Sequence, residues 1–221
     1  MTVHYAHGGG YTELGGTYEF LKKIREDLEY KRIFPAIKKP PKKGKVRINP
    51  EDEGITGKNL FRRLKERIDV WEEEIKVIVI IDDGDCKFYN QEKNFIVSLG
   101  EFKKYIDGKN IKGIFLFFEP EIEKIFCIDK SWHKNIPCED IDLHRKLDEL
   151  LSNINYNLNE EKTSCEEKFS DKFKETLKLC GINYNKKNDG AEYLKKVSPE
   201  KVAENDEFLK QFINEIKNLE I

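Results

Sequence analysis

The stretch that decides the fold is 77-VIVIIDDGDC-86. It is apolar from Val77 to Ile81, and then Asp82, Asp83 and Asp85 follow within four positions. A strand that is apolar on both faces belongs in the middle of a parallel sheet. In such a sheet, ligands bind beyond the carboxyl ends of the strands. Like charges gathered there repel one another. A divalent cation removes that repulsion, and Mg²⁺ favours carboxylate oxygens and water. Residues i and i+2 of a strand share a face, so Asp83 and Asp85 are expected to converge, with Asp82 opposite or at the turn. Asp-Gly is also good turn chemistry, which leaves a solvated turn as the alternative.

A second buried strand follows in 111-IKGIFLFFEP-120, stopped by Pro120. The spacing beyond it predicts a helix over 121–132, with Glu119, Glu121, Glu123 and Asp129 close by. The helix dipole accounts for Glu121. It accounts less well for Glu123, which stands among Ile122, Ile125 and Phe126. On the amino-terminal side, residues 2–6 read as a strand, 7-HGGGYTELGG-16 as a glycine-rich loop and 17–30 as an amphipathic helix. Strand, glycine turn and helix open an α/β domain. Gly8, Gly9 and Gly10 would let backbone approach a phosphate, or simply make a tight turn. Neither GxGxxG nor a Walker A loop is present. His7 and Glu13 are the polar groups this loop offers.

Short strands are expected at 33–37 and 45–48, a helix at 57–75, a loop at 84–98 and a helix at 99–108 ended by Gly108. From about residue 139 the chain is polar, with three stretches that carry apolar stripes at helical spacing. The expected architecture is an α/β core over 1–135 with a mostly parallel, Rossmann-like sheet. A helical region over 136–221 packs on it.

The chain has 221 residues, 38% of them apolar and 37% charged. Its 14 Phe, 9 Tyr and 2 Trp are enough for a real core. A net charge of −2 gives no bulk electrostatic case for nucleic acid. The cations are nevertheless concentrated. Residues 31–50 hold eight Lys or Arg and no acid, and Arg62 and Arg63 follow on the next helix. Lys38, Lys39, Lys42, Lys43, Arg62 and Arg63 are the candidate contacts to a phosphate backbone, against the plainer reading of a solvated face. Five cysteines without CxxC suggest free thiols in a reducing cytoplasm, as small core residues. The opening MTVHYAHGGG has no basic segment and no long apolar run, so no signal peptide is expected, and no apolar run is long enough to span a membrane. His133, Cys138 and His144 match no zinc spacing and read as structural or solvent-facing.

Together, "HGGGYTE" with "YEFLKKI", then "VIVIIDDGD", then "EPEIEKIFCID" resemble the toprim superfamily over roughly residues 3–130. The likeness is to its small RloB-like and abortive-infection (AbiL-type) nucleases of prokaryotic defence. That resemblance implies a toprim core binding Mg²⁺ or Mn²⁺ and cleaving phosphodiesters of DNA or RNA. It implies metal on Asp83, Asp85 and Glu123, with Asp82 as a shifted alternative. By analogy it implies an AAA- or ABC-type ATPase partner, and an oligomer is open. The family places Glu directly before the first glycine, where this chain has His7. Glu13 either takes over that role or matches a second acid of the pattern. The expected function is a metal-dependent nuclease with Glu13, His7, Asp83 and Asp85 in the catalytic set. The alternatives are a non-catalytic, nucleic-acid-binding or regulatory subunit of an ATPase complex, and a Rossmann-like phosphatase.

Overall fold

A computed structural model describes residues 1–38, 47–87, 91–129, 143–152 and 169–220, apart from the side chains of His144 and Ser152. The amino-terminal half runs β1 (Thr2–His7), α1 (Tyr11–Ile24), β2 (Glu29–Phe34), β3 (Ile37–Lys38), β4 (Arg47–Ile48), α2 (Gly57–Asp69), β5 (Val77–Asp83), α3 (Lys93–Gly108) and β6 (Lys112–Phe118). Helices follow: α4 (Lys124–Ile128), α5 (Leu143–Ser152), α6 (Phe169–Lys178), α7 (Lys186–Lys196), α8 (Pro199–Asn205) and α9 (Glu207–Lys217).

Four strands form one parallel sheet in the order β2-β1-β5-β6. β3 and β4 make a small antiparallel ladder outside it. Every residue of β5 is buried, as a central parallel strand requires. Chain order reverses between β1 and β5, since β2 lies to one side of this pair and β6 to the other. Such a switch point opens a crevice at the carboxyl ends of the two strands.

Alternation along β5 divides the core. Ile78 and Ile80 point to the layer of α2 and α3, among Leu60, Phe61, Leu64 and Phe102. Val77, Val79 and Ile81 point to α1 and the carboxy-terminal helices, among Phe20, Leu21, Phe126, Phe173 and Phe212. The carboxy-terminal helices therefore complete the second face of the sheet. No described helix is long and apolar enough to cross a membrane.

Several expectations are corrected. Helix α1 starts at Tyr11, not 17, so Gly15 and Gly16 lie inside it. β2 takes up residues that the sequence assigned to the end of that helix. Helix α2 stops at Asp69 rather than running to 75. Helix α3 begins at Lys93, inside the stretch expected to be loop, whereas α4 spans only Lys124–Ile128. Helix α7 lies outside the three stretches with apolar stripes, because its polar, glycine-containing sequence carries only Gly190 and Leu194 as buried residues. Cys127 is a buried free thiol, but Cys86 and Cys180 are disulfide-bonded. An odd count requires only one unpaired thiol, and sequence spacing says nothing about pairing through space. Cysteine usage thus no longer argues for a reducing compartment.

Candidate functional site

The adjacent aspartates of β5 point to opposite layers and have different partners. Asp82 is fully buried on the α2 side, where its Oδ2 accepts the Gly57 N–H at 2.6 Å. That bond caps the first turn of α2, whose own N-cap residue, Thr56, makes no side-chain cap. Burial pushes the Asp82 carboxyl well above the usual carboxylate range. Gly8 makes the room for it, since a Cβ there would stand 2.5 Å from Asp82 Oδ1.

Asp83 faces the α1 layer. Its Oδ1 accepts the Ile122 N–H at 2.7 Å, and its Oδ2 lies 3.5 Å from Lys186 Nζ. Burial pushes it up to about 7, against the pull of the Lys186 ammonium. Asp85 does not join it. The strand ends at Asp83, and Asp85 turns away in a left-handed conformation (φ 45°) to pair with Lys87 at 2.7 Å. The i, i+2 rule failed here because it holds only while the chain stays extended.

Two more acids converge on Asp83. Glu123 is fully buried; its Oε1 accepts the Tyr184 hydroxyl at 3.1 Å and its Oε2 lies 3.1 Å from Lys186 Nζ. Burial raises its pKa. Glu13 comes from the first turn of α1 and is 2% exposed. Its pKa is also raised, by burial and then by the charge of Asp83. Gly10 leaves no room for a Cβ beside the Glu13 carboxylate. Glu13 Oε2 is buried without a hydrogen-bond partner among the described residues. Glu121 stands at the rim, with Oε2 accepting the Ser170 N–H at 2.7 Å and Oε1 3.9 Å from Lys186 Nζ.

Lys186 is therefore the counter-ion of the cluster. Burial works against its charge, but Asp83, Glu123, Glu121 and Glu13 together outweigh it and raise its pKa. Neither Lys186 nor Tyr184 stood out in the sequence, where "INYNKKND" reads as an ordinary solvated stretch. The available signal lay in the small residues that bring α7 against α1. A Cβ on Gly15 would meet Ala191 Cβ at 2.5 Å, one on Gly16 would meet Leu194 Cβ at 2.6 Å, and one on Gly190 would collide with Thr12. Glycine inside a helix costs about 1 kcal/mol relative to alanine. Here that cost is offset by an approach of two helices that no larger residue permits.

The remaining candidates are placed differently. Gly9 is pinned inside the protein: its N–H donates to Ile55 O at 2.8 Å, and its own carbonyl accepts the Gly54 N–H at 3.1 Å. The space around Gly8, Gly9 and Gly10 is filled by Asp82, the 52–55 loop and Glu13, which is the reason for glycine there without a phosphate. His7 is buried, and its Nδ1–H donates to Gly8 O at 2.7 Å. Burial lowers its pKa to about 3, so it stays neutral and only weakly basic near pH 7. Arg62 pairs with Glu66 at 2.7 Å; Arg63 also reaches Glu66, at 3.3 Å, and Glu51, at 3.6 Å. Lys38 is exposed. Lys39, Lys42, Lys43, His133, Cys138 and the His144 side chain lie outside the described residues.

Among the described residues, no group of three or more His, Cys, Asp or Glu side chains is arranged to hold a metal ion. The donors nevertheless fit a hard divalent cation in kind. Asp83, Glu123 and Glu13 are all carboxylates, and one oxygen, Glu13 Oε2, has no partner among the described residues. Fold and site together define a parallel α/β protein with a buried acid cluster at its topological switch point. Comparisons with known protein families, with curated proteins and with solved structures each gave no match.

Proposed function

We propose that the acid cluster is the active site of a metal-dependent phosphodiesterase acting on DNA or RNA. One observation carries this reading: Glu13, Asp83 and Glu123 are gathered, buried and partly unsatisfied, around a single ammonium at the switch point. Grouping like charges in a dry site destabilises a fold, and such sites are enriched in function. Asp83 and Glu123 would hold Mg²⁺ or Mn²⁺, with Glu13 completing the set. The cation would supply Lewis-acid polarisation of a phosphoryl oxygen and a nucleophile at neutral pH. Where it stays off the cation, Glu13, with its raised pKa, is suited instead to hold and release a proton there. Tyr184 orients Glu123 through Oε1. Lys38 and Arg62 expose cations for a phosphate backbone, although Arg62 already shares its charge with Glu66. A defence role and an ATPase partner rest on the toprim resemblance.

The test is incubation of the purified chain with plasmid, single-stranded DNA and tRNA, in Mg²⁺ or Mn²⁺ and in chelator. Metal-dependent cleavage that Asp83→Asn and Glu13→Gln sharply lower is the expected result. Absence of both cleavage and metal binding would overturn it. A second reading is a non-catalytic, nucleic-acid-binding or regulatory subunit of an ATPase complex. It is favoured by Lys186, which already offsets part of the acids' charge without any metal. Nucleic-acid binding without cleavage, in a chain that takes up no metal, would select it. Turnover of a simple phosphomonoester, with diesters left intact, would point instead to a phosphatase.

A further inference from the structure

We infer that Lys186 is a tethered counter-ion that stands in for the divalent cation, so that metal enters the site only as Lys186 leaves it. The inference rests on the acid cluster being a metal site. Lys186 Nζ lies between Glu123 Oε2 at 3.1 Å and Asp83 Oδ2 at 3.5 Å. Ile122 N–H and the Tyr184 hydroxyl take the other oxygen of each carboxylate, so the ammonium stands where a Mg²⁺ bridging Oδ2 and Oε2, at about 2.0–2.1 Å from each, would sit. No other cation pairs with Asp83 or Glu123 among the described residues. Glu13 Oε2 remains buried without a partner among the described residues even with the lysine in place. One ammonium therefore leaves acceptor capacity that a cation of higher charge would use.

The position of Lys186 is itself informative. It is the first residue of α7, where the positive end of the helix dipole disfavours a cation. The acids hold it there against that field. Its helix is fixed by the glycine contacts with α1, but the lysine stem is long and flexible, and the side chain is 35% exposed. The ammonium can therefore swing to water while α7 stays docked. Departure leaves Asp83 and Glu123 free to close on the metal.

Binding of Mn²⁺ to the full chain, followed by the EPR signal of the free ion, tests this. Lys186→Met is expected to bind at least tenfold more tightly than the native chain, and Lys186→Arg about as weakly as the native chain. In chelator, Lys186→Met should melt below the native protein, and Mn²⁺ should narrow the gap. The native protein gives a second measurement that does not depend on a variant folding. Amine labelling of Lys186, mapped by mass spectrometry, should quicken when Mn²⁺ is added. Equal Mn²⁺ affinity in a folded Lys186→Met chain would overturn the inference while leaving the metal site standing, and so would a labelling rate that Mn²⁺ does not change. No Mn²⁺ binding by either chain would overturn the metal reading itself, and this inference with it.

Discussion

Asp82 and Asp83 are neighbours in sequence, identical in chemistry and both buried, yet they belong to different parts of the molecule. Asp82 faces α2 and is used to close a helix end through the Gly57 N–H. Asp83 faces α1 and meets two further acids and a lysine from the start of α7. The strand's two-residue repeat is the whole cause of the separation. A buried charge does not by itself mark a functional site. Each accepts one backbone N–H, so what separates the two is the remaining company: Lys186, Glu123 and Glu13 around Asp83, and no ion-pair partner for Asp82 among the described residues.

Substitutions on either side of β5 can break this contrast. The largest expected effect is on chemistry. Asp83→Asn should lower metal-dependent cleavage by on the order of a hundredfold, read from initial rates, while the chain stays folded. Asp82→Ala should do the reverse. It strands the Gly57 donor and should cost about 1–3 kcal/mol in urea unfolding, with activity per folded molecule kept. Asp82→Asn, which retains an acceptor, should cost less. Equal behaviour of the two aspartates in both assays would remove the distinction.

A smaller effect is expected from pH in the absence of metal. The pKa of Asp83 stands at about 7 in the folded chain, against an ordinary 3.8. Between those values the folded protein keeps a proton that the unfolded chain has released. Stability therefore falls as pH rises through that window and levels off above it. The melting temperature in chelator should be higher at pH 5 than at pH 8, and Asp83→Asn should flatten the slope. An unchanged slope would show that Asp83 is not the group responsible. The smallest effect belongs to Asp85→Asn. Its ion pair with Lys87 is on the surface, and asparagine tolerates the same left-handed backbone. A change of under about 0.5 kcal/mol, with cleavage unaltered, is the expectation.

The fold was legible where the signal is local. The unbroken apolar runs of β5 and β6 fixed a parallel sheet, and the acids after them marked its ligand edge. Glu123 stood out because apolar neighbours on both sides implied burial. The rest needed the tertiary structure. Asp85 was misplaced because the strand ends two residues before it. Gly8, Gly9 and Gly10 look like a ligand loop in sequence, but their small size serves Asp82, the 52–55 loop and Glu13. Glu13, one of two options in the sequence, is brought beside Asp83 only because α1 begins at Tyr11. Lys186 and Tyr184 lie in a polar stretch whose direction is set by a helix contact far away along the chain.

That contact has a consequence for how the protein comes into being. Gly15 and Gly16 lie in α1, and Gly190 and Ala191 in α7, with β5 and β6 between them in the chain. Synthesis runs from the amino-terminal side, so Glu13, Asp83 and Glu123 are all made before the lysine that pairs with two of them. The two pairs of small residues thus set the moment at which the site closes, which is when α7 has been made and has docked on α1.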